Sequence, residues 1–194
     1  MSILFLKITF MIFWVSTGFI RAPFERQSKQ VEVSIDRKNT EEKILLFGAV
    51  IGMMLLPLIY TFTPLLSFAN YDPSLIINVI GFLLILPTLW LFYRSHKDLG
   101  RNWSPSLEVR TDHSLVDVGV YHLIRHPMYT AIWMWVILQA CLLPNFIGGF
   151  SGIVAFGLLY FLGVGKEEKM MKDRFGAYYV QYKNRTKRLI PYVI

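Results

Sequence analysis

Two short stretches of the 194-residue chain hold residue types that could do chemistry. The first, Arg125-His126-Pro127-Met128-Tyr129, stands where a polar segment enters an apolar run. Proline is well tolerated in the first turn of a helix, and the free N–H groups of that turn can bind an anion such as a carboxylate. Taken alone, Arg125 and His126 serve equally well as interfacial residues flanking a membrane segment. The second stretch, Lys166-Glu167-Glu168-Lys169, places two carboxylates at the end of another apolar run. Acidic groups there are costly unless they face water, a cation or a polar pocket, and the C-terminal dipole disfavours them if the helix stops at that point. A solvated pair balanced by Lys166 and Lys169 is the plain alternative. An inward-pointing carboxylate would call for a cationic group on a cofactor.

Further polar and aromatic residues cluster near these two. Asp112-His113-Ser114-Leu115-Val116-Asp117-Val118-Gly119-Val120-Tyr121-His122 precedes the first stretch, and Phe175-Gly176, Tyr178, Tyr179, Tyr182 and Arg188-Leu189-Ile190-Pro191 follow the second. His113, His122 and His126 raise the question of a metal, but Pro127 is expected to start the helix only after them, and a membrane di-iron site calls for many more than the four histidines present. No metal is expected. GxGxxG, P-loop and nucleophile-elbow patterns are missing, so dinucleotide binding on a Rossmann fold, phosphoryl transfer and α/β-hydrolase chemistry have no support.

The elements that must position these residues are apolar. The chain is 54% hydrophobic and 17% charged, with a mean hydropathy of +0.44, too apolar for an ordinary soluble domain of this size. Ile3 to Ile20 lacks the basic start and the cleavage site of a signal peptide and is expected to be a retained first span. Ile44 to Ala69 and Leu75 to Tyr93 are expected to be the second and third, each long enough for roughly 30 Å of hydrocarbon at 1.5 Å per residue. Met128 to Leu143 and Phe146 to Gly165, separated by Pro144-Asn145, predict a helical hairpin forming spans four and five. The fold class expected is therefore all-α, a polytopic membrane protein with about five transmembrane helices. Residues 1–93 would hold the first three spans, with a solvated connector at 21–43, and residues 94–194 the chemistry. From Lys166 onward, Met170, Met171, Phe175, Tyr178, Tyr179 and Tyr182 recur at helical spacing and predict one helix continuing the fifth span or lying along the interface.

Charge placement predicts the orientation. Residues 21–43 hold six Lys and Arg, 94–127 five and 166–194 eight, whereas the loops at 70–74 and 144–145 hold none. Short cytoplasmic loops carry the basic excess, which puts the N-terminus outside and the C-terminus in the cytosol. The net charge of +7 is interrupted by apolar runs, so anionic lipid headgroups, not nucleic acid, are the expected partner. Cys141 is the single cysteine, so a disulfide within the chain is impossible.

Taken in order, His-Ser-Leu-Val, Gly-Val-Tyr, Arg-His-Pro-x-Tyr, a helical hairpin, Glu-Glu, Phe-Gly-x-x-Tyr and Arg-Leu-Ile-Pro resemble the isoprenylcysteine carboxyl methyltransferase family over about residues 106–191. The order and spacing carry the likeness, since each element alone is weak. The resemblance implies an S-adenosylmethionine-dependent methyltransferase whose cytosolic loop and tail wrap the cofactor outside the hairpin, while a lipid-bearing thiol with a free carboxylate approaches from the bilayer. It implies that His113, Ser114, Leu115, Val116, Tyr121, His126, Pro127, Met128 and Tyr129 line the cofactor pocket and that Glu167 holds a polar group of the cofactor. The membrane implied is the plasma membrane in a prokaryote, which the short chain favours, and the endoplasmic reticulum in a eukaryote.

The chain departs from the family pattern at two positions. Gly163 stands four residues before Glu167, where the family has an arginine that orients the substrate carboxylate, and Ser106 replaces an amide residue seven positions before His113. Arg174, or else Lys166, is the expected substitute for the missing arginine. A phospholipid amine or a small thiol is accordingly an alternative acceptor. Two other readings compete: an NADPH-dependent sterol-reductase-like enzyme, which shares Arg-His-Pro-x-Tyr but has many more spans, and a membrane scaffold or transporter, for which only Lys7 within the first span speaks.

Overall fold

A lipid-embedded backbone satisfies its polar groups only within helices or closed barrels, and each long apolar run here is helical. The computed structural model describes residues 1–28, 33–36, 40–103, 108–110 and 114–193. Helix α1 covers Ile3–Ser28, α2 Thr40–Phe62, α3 Leu75–Leu99, α4 Pro127–Leu142, α5 Phe146–Phe175 and α6 Ala177–Arg185. Of these, α1, α2, α3 and α5 are long and apolar enough to cross a membrane. The expected fourth span is shorter than the rest: α4 has 16 residues, about 24 Å against roughly 30 Å of hydrocarbon. Leu143 leaves helical geometry (φ −109°, ψ 94°) because it precedes Pro144, whose ring disfavours the α region for its neighbour. Side chains such as Phe19, Leu83, Leu86 and Phe161 are largely exposed on the outer faces, an arrangement suited to lipid.

Helix α1 inserts Leu6, Phe10 and Phe13 at helical spacing into a core shared with Phe92 of α3 and Trp135, Leu138 and Leu142 of α4. Trp135 sits at the centre, edge-on to Phe13 (5.5 Å) and to Phe92 (5.9 Å). Helix α2 carries a π-helical turn at Ile51–Leu55, in which the N–H of Leu56 reaches the carbonyl of Ile51. Pro57, which has no N–H to give, follows directly, and the wider turn absorbs its ring. That turn also presents the carbonyl of Gly52 to Ser151 Oγ (2.6 Å) and Gln139 Nε2 (3.1 Å), which ties α2 to α4 and α5. A Cβ on Gly52 would lie 2.6 Å from the Cβ of Ala155, so the close approach requires glycine.

Pro144-Asn145 makes the tight reversal that the sequence predicts. Asn145 caps α5 by accepting from the N–H groups of Ile147 (3.0 Å) and Gly148 (2.8 Å), and its amide donates to Leu66 O and Asn70 Oδ1. The helices alternate in direction, so the turns around 63–74 and 143–145 lie at one end of the bundle and the long polar segments at the other.

Two expectations are corrected. The connector at 21–43 is more structured than a solvated linker: α1 continues through Ser28, and a strand β1 (Val33–Asp36) pairs antiparallel with β2 (Glu108–Arg110). Strands of four and three residues are too short to show a period, and the partner lies far along the chain. The single helix expected from Lys166 onward is two. It breaks at Gly176, whose φ of +53° is open to glycine, and α6 turns back along α5.

Candidate functional site

The site is built where the start of α4, the polar end of α5 and the C-terminal tail meet. Pro127 opens α4, which leaves the backbone of Arg125 and His126 free to pair elsewhere. The tail supplies the partners: Arg125 N–H donates to Lys187 O (2.8 Å) and His126 N–H to Arg188 O (3.0 Å). One turn on, Thr130 Oγ1 donates to Leu189 O (2.8 Å), and the buried Tyr182 hydroxyl donates to Tyr121 O (2.6 Å). The sequence around 186–189 thus lies alongside 124–130 as an added extended segment, joined by a parallel bridge between Ile124 and Lys187.

The two neighbouring carboxylates have different fates. Glu168 points inward, its side chain 8% exposed, and meets cations from three parts of the chain. Arg125, equally buried, donates to Oε1 through Nε (3.3 Å) and Nη2 (3.2 Å); Arg188 donates to Oε1 through Nε (3.1 Å) and to Oε2 through Nη2 (3.0 Å); Lys183 reaches Oε2 at 3.2 Å. His126 Nε2 lies 3.5 Å from Oε1 without hydrogen-bond geometry. Charge-assisted, forked contacts of this kind offset the desolvation of both partners. Arg125 also donates through Nη1 to the carbonyls of Lys183 (3.2 Å) and Thr186, so one guanidinium fastens the tail to α5.

Glu167, one residue earlier, is on a different face and 28% exposed. Its Oε2 accepts from the Tyr129 hydroxyl at 2.6 Å, with His126 Nδ1 at 3.8 Å. The His126 and Tyr129 rings stack at 5.2 Å and 14°, and Tyr129 packs edge-on against Phe156 and Tyr160. A carboxylate bordered by aromatic faces can receive an ammonium or stabilise a nearby sulfonium.

Before α4, the short turn Gly119–His122 is pinned to α3. Asp98 Oδ2 accepts from Val120 N–H (2.9 Å) and is held by Arg94 (3.1 Å). Gly119 has φ +59°, and a Cβ there would lie 2.1 Å from Asp98 Oδ2, so both the backbone and the carboxylate demand glycine. Tyr121 is buried and donates to Ser95 O (3.3 Å); burial, reinforced by the Glu167 carboxylate, pushes its hydroxyl pKa up and keeps it a donor.

The structure therefore brings together His126, Pro127, Tyr129 and Glu167, with Tyr121 beneath them on the tail contact. Met128 turns its side chain toward the bundle core. Leu115 and Val116 are half-buried, and Ser114 is held by Asn102, whose Oδ1 accepts from Ser114 N–H (3.2 Å) and whose Nδ2 donates to Ser114 Oγ (3.3 Å). His113 and Ser106 lie outside the described residues. Arg174 stands exposed in the last turn of α5, seven residues past Glu167, and Lys166 pairs with Glu41 at 2.6 Å. Nothing lies within 4 Å of the Cβ position at Gly163, which leaves open space one turn before Glu167. Among the described residues, no group of three His, Cys, Asp or Glu side chains is placed to hold a metal ion.

Sequence reasoning did not foresee the Glu168 cluster or the role of Asn102. Arg188 was visible in the closing Arg-Leu-Ile-Pro, but its partner depends on the tail returning to α4. The Asn102 amide stands four residues before Ser106, where an amide residue was expected.

Residues 79–173 match the model of the isoprenylcysteine carboxyl methyltransferase (ICMT) family. The chain is 30% identical over 96 residues to protein-S-isoprenylcysteine O-methyltransferase B of Arabidopsis thaliana, covering 48% of this chain and 49% of that protein. It is 27% identical over 136 residues to the protein-S-isoprenylcysteine O-methyltransferase of Saccharomyces cerevisiae, covering 69% of this chain and 57% of that one. The chain thus spans about half the length of these relatives. Among solved structures it is similar to the eukaryotic intramembrane Ras methyltransferase ICMT, with a TM-score of 0.52 and 21% identity over 82% of this chain and 55% of that one; at that identity the likeness concerns the fold. Together with the apolar helices, these likenesses make the chain a multi-pass integral membrane protein.

Proposed function

We propose that the chain, which matches the isoprenylcysteine carboxyl methyltransferase family over residues 79–173, is an S-adenosylmethionine-dependent methyltransferase whose acceptor is the carboxylate of an isoprenylcysteine-like lipid. The observation that carries this reading is the division of labour between Glu167 and Glu168. The chain's own cations neutralise Glu168, whereas Glu167 keeps a partly open carboxylate beside the His126 and Tyr129 rings. A ligand with an ammonium and a sulfonium suits that surface. Glu167 would hold the ammonium, the Tyr129 and His126 faces would border the sulfonium, and Ser114 with the neighbouring Leu115 and Val116 would receive the nucleoside end.

When bound, the cofactor supplies an electrophilic methyl group. The acceptor carboxylate is ionised at neutral pH, so the chain need not provide a strong base. Its residues act by orientation and water exclusion, which in well-aligned systems are worth roughly 7–11 kcal/mol. Tyr129 fixes Glu167, and the Arg125–Glu168–Arg188 cluster fixes the tail that closes over the site. The basic segments at the same end of the bundle support a cytosolic placement for the site and the C-terminus, with the N-terminus outside.

A second reading, a phospholipid amine or a thiol as acceptor, is favoured by the open space at Gly163. Arg125, Lys183 and Arg188 are committed to Glu168 and Lys166 to Glu41, so a carboxylate would find its cation elsewhere. Incubating the purified protein in mixed micelles with radiolabelled S-adenosylmethionine and an S-prenylcysteine, or the same lipid with its carboxylate amidated, separates the two. Label in the free acid alone supports carboxyl transfer, and label in neither lipid but in added phospholipid or thiol supports the second reading. Glu167→Gln is expected to weaken S-adenosylhomocysteine binding about tenfold or more in titration calorimetry, since a hydrogen bond to a charged group is worth roughly 1.5–3 kcal/mol. NADPH binding without S-adenosylhomocysteine binding would overturn the methyltransferase reading.

A further inference from the structure

At the end of the bundle opposite Glu167, α1, the last turn of α2 and the turn after it border an open cleft of about 340 Å³, lined by Lys7, Tyr60, Thr61, Pro64, Ser67 and Asn70 among others. Lys7 lies a turn inside α1, within an otherwise apolar span. Its ammonium donates to Tyr60 O (2.7 Å) and sits 4.0 Å from the Tyr60 ring centroid, and among the described residues no carboxylate is paired with it. A contact with one carbonyl at a helix end satisfies one of three N–H donors and leaves the ammonium without a counter-ion among the described residues. Tyr60 and Thr61 both line the cleft, and their hydroxyls, buried as the side chains stand, have no hydrogen-bond partner. These donors around one cleft have few or no acceptors among the described residues. The surrounding turn shows where an anion would come from: Phe62, Leu65 and Phe68 are 70%, 69% and 78% exposed at that rim, an apolar collar suited to the headgroup boundary of a bilayer.

We propose that the Lys7 cleft binds an oxyanion, the phosphate of an anionic lipid headgroup in the leaflet opposite the Glu167 site. The ammonium supplies the charge, Thr61 and Tyr60 the neutral donors, and the apolar collar receives the upper acyl chains. The site is separate from the methyl-transfer reading and stands or falls without it.

The test uses the full chain in nanodiscs of phosphatidylcholine, with and without phosphatidylglycerol, and in detergent with phosphatidylglycerol or inorganic phosphate added. Bound lipid is counted by native mass spectrometry and the unfolding temperature is recorded. Phosphatidylglycerol is expected to be retained in preference to phosphatidylcholine and to raise the unfolding temperature. Lys7→Gln, which keeps a donor for Tyr60 O but removes the charge, is expected to weaken retention about fivefold, the worth of one basic residue at a membrane surface. Thr61→Val, which leaves Lys7 intact, is expected to weaken it less, and Lys172→Ala at the other end is expected to leave the Lys7-dependent part of the retention unchanged. A Lys7-dependent shift produced by inorganic phosphate alone would support the oxyanion site and assign it a soluble ligand in place of the lipid. Equal retention of the two lipids, or unchanged phosphatidylglycerol retention in a Lys7→Gln protein that elutes as a single folded species, would overturn the proposal and leave Lys7 as a cap on α2.

Discussion

The two ends of the helical bundle solve the same problem, closing polar backbone near a membrane, with different chemistry. At one end Asn145 joins Asn70, Leu66 and the start of α5 through neutral hydrogen bonds. At the other, Glu168 joins Arg125, Lys183 and Arg188 through ionic ones. The neutral corner involves segments already adjacent in sequence or at helix ends, where a short amide suffices. The ionic cluster must gather a tail that is otherwise polar and has little apolar surface to bury, so charge replaces packing. The neutral corner fixes the reversal between α4 and α5, whereas the ionic cluster holds the C-terminal tail against the start of α4.

The largest effect is expected at the ionic end. Glu168→Gln leaves the buried Arg125 guanidinium without its counter-charge, which in buried pairs costs about 3–5 kcal/mol. A drop in the unfolding temperature, with tail residues 176–193 cleaved far faster in limited proteolysis, is the expected outcome; an intact, protected tail would show that the backbone pairing at Lys187 and Arg188 suffices to hold it. Next in size is Asn145→Ala, which removes an N-cap and two loop contacts and is expected to cost about 2 kcal/mol in thermal unfolding, with the tail still protected. Loss of tail protection in that variant would mean that the two ends are coupled through α5. Smallest is Lys183→Ala. Lys183 is half-exposed, so its pair with Glu168 is expected to contribute under about 1 kcal/mol and to fade as salt is raised. A salt-independent loss would argue for a packing role of its side chain along α6.

The helices were legible because a bilayer-length apolar run has few alternatives. The Pro144-Asn145 reversal was legible because proline and asparagine act within a few residues, through a ring that ends one helix and an amide that starts the next. The order Arg-His-Pro-x-Tyr and Glu-Glu was legible as a likeness. The β1–β2 ribbon was not, since strands of four and three residues show no period. The shortness of α4 was only half legible: Pro144 announced it, but the apolar run reached one residue further than the helix.

By itself, then, the sequence determined which segments are apolar helices, where they reverse, which end collects the charge and which residue types border the candidate site. Those properties depend on side-chain chemistry and on neighbours a few positions away. The family resemblance singled out Glu167, but only the tertiary structure shows which way each of the two carboxylates faces. Adjacent on one helix and chemically identical, they differ by the roughly 100° that separates consecutive residues around a helix axis. That rotation turns Glu168 toward Arg125 before α4 and toward Lys183 and Arg188 of the returning tail, and Glu167 toward Tyr129 and His126, a choice set by contacts between residues far apart in the chain.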